Sequence, residues 1–62
     1  MNVDDKVLRY LKKRVQGAIL QNMIDDLGFH RFTIQKALYR LMLKGFVKEV
    51  KYSQNCKVYW SK

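Results

Sequence analysis

The spacing of apolar residues changes period once along this chain, at Gly45, and that change limits the fold more than any other feature. Before Gly45 three stretches follow a helical repeat. Val3, Val7, Leu8 and Leu11, with Val15 following, place one stripe over residues 3–14. Leu20, Met23, Ile24 and Leu27 form a second stripe, closed by Gly28, and Ile34, Ala37, Leu38 and Leu41 form a third. After Gly45 the period falls to two. Val50 and Tyr52 face one way, as do Cys56, Val58 and Trp60 on the return, while Lys51 and Lys57 face the other. Ser53, Gln54 and Asn55 are read as a three-residue turn in which Asn55 is able to take the left-handed conformation. Ala18-Ile19, after the break at Gly17, is a short strand or a linker.

The expected architecture is α+β: three helices followed by a two-stranded hairpin, as one domain over residues 1–62. A chain this short buries only about 60% of its unfolded surface, so its core is marginal. Cys56 is the single cysteine, which rules out a disulfide framework, and His30 with Cys56 falls short of the roughly four ligands a structural zinc needs. No metal or cofactor is expected. Cys56 as a redox sensor is set aside, because a strand cysteine is ordinarily inert. Nothing pairs a nucleophile with a base, and Asp4-Asp5 and Asp25-Asp26 sit at helix ends, so the chain does not read as an enzyme.

Charge points to the partner. Thirteen Lys and Arg face five acids, a net of +8. The excess is lopsided: from Arg31 onward eight basic residues meet one acid, Glu49, whereas residues 1–30 hold five bases and four acids. Such a footprint fits a polyanion. Lys6, Arg9, Lys12, Lys13 and Arg14 interrupt any apolar signal-peptide segment, and no apolar run approaches a membrane span. With one lone cysteine, the expectation is an intracellular, DNA-associated protein with no membrane partner.

The run Leu27-Gly28-Phe29-His30-Arg31-Phe32-Thr33-Ile34 through Leu38, Leu41, Gly45 and Val47 resembles the winged helix superfamily of small regulators. His30 replaces the usual helix-capping Ser. The resemblance implies a helix-turn-helix with the third helix, residues 31–44, in the DNA major groove and a wing, residues 46–61, on phosphates. Tyr39 and Trp60 also resemble residues of the winged helices that bind Z-form nucleic acid, although Gln35 stands in place of their Asn and the prolines before their Trp are missing.

On the third helix, Phe32, Gln35 and Lys36 are placed to reach base edges, with Arg31, Thr33 and Arg40 on phosphates and Tyr39 able to do either. Two aromatics set this surface apart from an ordinary solvated face. On the wing, Lys51 and Lys57 are expected as cross-strand neighbours whose repulsion a phosphate relieves, flanked by Ser53, Gln54 and Asn55. Lys6, Arg9 and Lys13 touch phosphates or merely solubilise, and the sequence leaves that open. Tyr59 and Trp60 anchor the last strand, with Trp60 opposite Lys48. Tyr10, Met42 and Leu43 fall off the core stripes and are read as a homodimer interface, the competing account being a monomer in which Leu43 packs under the wing and Tyr10 stacks over the end of the third helix. The function expected is sequence-specific double-stranded DNA binding by a small transcription regulator. Replication, recombination or architectural DNA binding, and a protein-interaction module, stand as alternatives.

Overall fold

The computed structural model describes residues 2–62. Its elements are α1 (Val3–Lys12), α2 (Leu20–Leu27), α3 (Arg31–Leu43), β1 (Val47–Ser53) and β2 (Cys56–Ser61), the order of a winged helix. Among the described residues no helix is long and apolar enough to cross a membrane.

Each helix begins on a side-chain acceptor or donor close in sequence. Asn2 Oδ1 accepts from the Asp5 amide at 2.9 Å and caps α1. Asn22 reaches back from the first turn of α2 to accept from the Ile19 amide at 3.3 Å. At α3 the residue that replaces serine does serine's work: His30 Nδ1 accepts from the Phe32 amide at 3.2 Å. Gly28 ends α2 in the left-handed region, φ +74°, where a side chain is disfavoured. The first helix stops at Lys12, earlier than its apolar stripe. The Arg14 amide turns back to the Leu11 carbonyl, and Val15, expected to continue the stripe, is 92% exposed.

The core joins all of these elements. Val7, Leu11, Ala18, Met23, Ile34, Ala37, Leu38, Leu41, Val47 and Tyr59 are buried together. β1 and β2 pair antiparallel, with Lys48 opposite Trp60, Val50 opposite Val58 and Lys51 opposite Lys57. Ala18 is a third, one-residue strand. It exchanges two backbone bonds with Tyr59, at 3.0 and 2.8 Å, and so ties the hairpin to the helices. The turn differs from expectation. Ser53 pairs with Cys56, leaving Gln54 and Asn55 as a two-residue turn, and the register shifts between Lys51 and Ser53. The extra residue there, Tyr52, restores the Lys51–Lys57 pairing. No non-glycine residue among those described has positive φ, so Asn55 is not left-handed.

Two residues assigned to a dimer interface are used inside the fold. Met42 packs against the core. Tyr10 is partly buried, and its hydroxyl donates to Asp26 Oδ2 at 2.5 Å. Arg14 closes the cluster, 2.8 Å from the same carboxylate and with its guanidinium 4.5 Å from the Tyr10 ring centre. Burial first, and then the bond to Asp26, push the Tyr10 hydroxyl up to about 12. The sequence separates these groups by a turn, and only the docking of α1 on α2 explains them. Leu43, 70% exposed, alone remains free for a partner.

A second clasp joins α1 to α3. Arg40, expected on phosphates, instead holds Asp4 through two bonds, Nε to Oδ2 at 2.9 Å and Nη2 to Oδ1 at 2.6 Å. This bidentate geometry fixes both side chains. The hydrogen bond from Arg40, and secondarily its charge, hold the Asp4 carboxyl below its usual range against the opposing effect of burial.

Two predictions follow from these contacts. A carboxyl depressed in the folded state stabilises above the unfolded-state value and loses that contribution as pH falls through the folded one. The melting-temperature gap between wild type and Asp4→Asn is therefore expected in full at pH 7 and to close progressively below about pH 4. A gap independent of pH would remove the carboxylate from the account. The other concerns Gly17, at φ +84°, where an added Cβ would lie 2.6 Å from both Trp60 Cε2 and Val58 Cγ1. Gly17→Ala is expected to cost about 2–4 kcal/mol in urea unfolding, from strain and overpacking together. Gly28→Ala, with open space around it, should cost about 1–2 kcal/mol.

Candidate nucleic-acid interface

The exposed side of α3 and the tip of the hairpin meet across a cleft of about 360 Å³. The helix side supplies Arg31 and Gln35. The hairpin supplies Gln54, Asn55, Cys56 and Lys57, and Tyr59 lies at the base. Five residues named from sequence thus share one concave surface although Gln35 and Gln54 stand 19 positions apart. The tight connection after Gly28 produces this. It starts α3 at Arg31, so that Arg31 and Gln35, one turn apart, fall on the same side of the helix as the wing.

Phe32, Lys36 and Tyr39 occupy a neighbouring stripe of α3, spaced i, i+4, i+7, and outside the cleft. Phe32 is 64% and Tyr39 60% exposed. Phe32 stacks on His30, with ring centres 5.4 Å apart. Leu43 continues the stripe. One face of α3 is therefore buried and apolar while the opposite face is apolar, aromatic and exposed. Thr33 is partly buried between them, and Ser53 is exposed at the turn.

On the wing, Lys51 and Lys57 stand directly opposite each other, and neither has an ion-pair partner among the described residues. Two ammonium groups placed so repel, and an anion between them relieves that repulsion. Glu49 lies two residues from Lys51 on the same side of β1, opposite Tyr59. Burial, and then the Glu49 carboxylate, raise the Tyr59 hydroxyl to about 12. The one acid of the wing thus sits towards its base, exposed beside Tyr59, and the tip carries only positive charge.

Gln21 also lines the cleft and was not among the residues read from sequence. Its side chain donates to Asp25 at 2.9 Å. It stands in the first turn of α2, and the first helix of a helix-turn-helix crosses the DNA backbone, so a polar residue there was an available signal. Trp60 lies against Gly17, Tyr52 and Lys48, and Tyr39 of α3 is exposed. No group of three or more His, Cys, Asp or Glu side chains among the described residues could hold a metal ion.

Comparison with protein-family profiles finds no match, and comparison with curated proteins finds none. Among solved structures the chain is similar to HOP2, with a TM-score of 0.82 and 26% sequence identity over 98% of this chain and 100% of that one. That structure is described in terms of the DNA recognition and protein interaction domains of HOP2 and its homologous DNA pairing properties. The likeness spans every element, and the three helices with their antiparallel hairpin are a winged helix.

Proposed function

We propose that this chain is a double-stranded DNA-binding domain that reads the major groove with α3 and holds phosphates with its wing. One observation carries the reading: Arg31 and Gln35 of α3 and Gln54, Asn55 and Lys57 of the wing line a single cleft. Guanidinium, amide and ammonium donors on a helix and an adjoining ribbon match the hydrogen-bonding edges of bases and the backbone beside them. The role is binding, not catalysis.

The likeness to HOP2 favours a task in homologous DNA pairing or recombination. A second reading, a transcription regulator, is favoured by Gln35 and Phe32 at the N-terminal end of α3, where adenine and the thymine methyl group are recognised. The two differ in specificity. A pairing protein holds unrelated duplexes alike, whereas a regulator holds a selected site about 10³-fold or more tighter than random DNA. Selection from random duplexes followed by affinity measurement on the winner and on a scrambled copy separates them. The homodimer rests on Leu43 alone, and a duplex site for one copy is the simpler reading.

With Arg40 committed to Asp4, the phosphate contacts fall to Arg31, Lys51, Lys57 and one neighbour such as Lys36. The logarithm of duplex affinity is then expected to fall against the logarithm of salt with a slope of about −3 to −4. A slope near zero overturns the electrostatic part of the reading. Gln35→Ala should cost about 1–3 kcal/mol on a preferred sequence and little on random DNA, whereas Lys57→Ala should weaken both equally. Identical profiles for the two variants would remove α3 as the reader.

A further inference from the structure

Side chains alternate across a strand, so the hairpin has a second face that the cleft does not use. Lys57 and Tyr59 turn towards α2 and α3. Val58 and Trp60 turn the other way, where they cover Gly17. Tyr52 joins them, edge-on to Trp60 with ring centres 6.3 Å apart, and is 65% exposed. Lys48 completes the group, its Nζ 5.7 Å from the centre of the Trp60 ring. Beside them the segment from Lys13 to Gly17 forms a shallow depression at the end of α1.

We propose that this outer face of the sheet is a second nucleic-acid site, which takes a single strand by stacking its bases on Tyr52 and Trp60 and holding its phosphates on Lys48 and Lys13. The inference goes beyond the duplex reading and does not depend on it.

The chemistry selects this ligand over others. A sheet face with the exposed ring of Tyr52 beside the half-buried ring of Trp60 is a stacking platform, and a single strand offers bases whose faces are open, which a duplex does not. The surrounding charge is positive. Lys13 and Lys48 are exposed and have no ion-pair partner among the described residues, whereas Arg14 is neutralised by Asp26. Glu49, the nearest acid in sequence to Lys48, lies on the opposite side of β1 by the same alternation. Lys48 makes only a surface contact with Trp60. When a base takes its place on the ring, its ammonium group can follow the phosphate that arrives with that base. Trp60 itself is held in place, because Gly17 leaves no room beneath it. A fixed ring with an adjoining exposed ring is the arrangement stacking requires. A domain carrying a duplex site and a single-strand site on opposite faces of one hairpin would hold both nucleic acids together.

Trp60 is the sole tryptophan of the chain, so its emission reports on this face alone. The test titrates the full chain with an oligothymidine of about 12 nucleotides, within the span one small domain covers. The expected result is saturable quenching of Trp60 that persists when the cleft is occupied by unlabelled duplex. Tyr52→Ala should weaken binding of the oligothymidine by about tenfold, and Tyr52→Phe, which keeps the ring, should restore it. Lys48→Ala should reduce the salt slope for the single strand by about one. Affinity for a fluorescein-labelled duplex, followed in parallel by anisotropy, should not change in any of these variants. Circular dichroism checks that each variant is folded. Unquenched Trp60 at saturating oligothymidine overturns the proposal, as does displacement of the strand by duplex in one-for-one competition, or a Tyr52→Ala variant with undiminished affinity. None of these results bears on the duplex reading, which the anisotropy measures separately.

Discussion

Two backbone hydrogen bonds between Ala18 and Tyr59 hold the wing to the rest of the molecule. A two-stranded hairpin alone is marginal in water and needs a third strand or a helix to pack on. Here the third strand is one residue long. It works because Tyr59, the residue it pairs with, also places its ring in the core beside Val47, with Ala18 buried next to it. The backbone register and the apolar packing thus constrain the same residue. Both faces of the hairpin depend on it: the cleft with α3 on one side, and the covered Gly17 on the other.

The basic character of the chain is less uniform than its net charge implies. Arg14 and Arg40, whose guanidinium forks can donate two parallel hydrogen bonds to a carboxylate or phosphate, are spent on Asp26 and Asp4 and hold helices together. The cations left free are chiefly lysines. On the wing tip and around the end of α1 these have flexible stems and compact charges, suited to following a backbone rather than to fixing one base. Arg31, at the mouth of the cleft, is an arginine outside both clasps.

Much of the fold was legible in the sequence, for a physical reason: three helical stripes and one alternating stretch each state their own period. The start and stop of α2 and α3 could be read from Gly28, Gly45 and the apolar spacing to within a residue or two. What failed was whatever depended on one element meeting another. Tyr10 looks surplus on a helical wheel because its partners, Asp26 and Arg14, belong to a different turn of the structure. Arg40 looks like a phosphate ligand until α1 brings Asp4 to it from thirty-six residues away. Of the residues named for the candidate site, Arg31, Gln35, Gln54, Asn55 and Lys57 fall in two short segments, and only the mutual approach of those segments had to be supplied by the fold. Gln21 was missed because its neighbours in sequence say nothing of the wing.

The turn at the tip of the hairpin has a further consequence. Hairpins closed by two residues commonly require positive φ and therefore fix glycine or asparagine at the tip. Here φ is negative throughout, and the irregularity that permits this is taken up one step earlier, at Tyr52. Backbone geometry thus makes no demand for glycine at positions 54 and 55. Gln54 and Asn55 are free to be exchanged for whatever a target surface rewards, so the wing can be retuned without refolding the sheet that carries it.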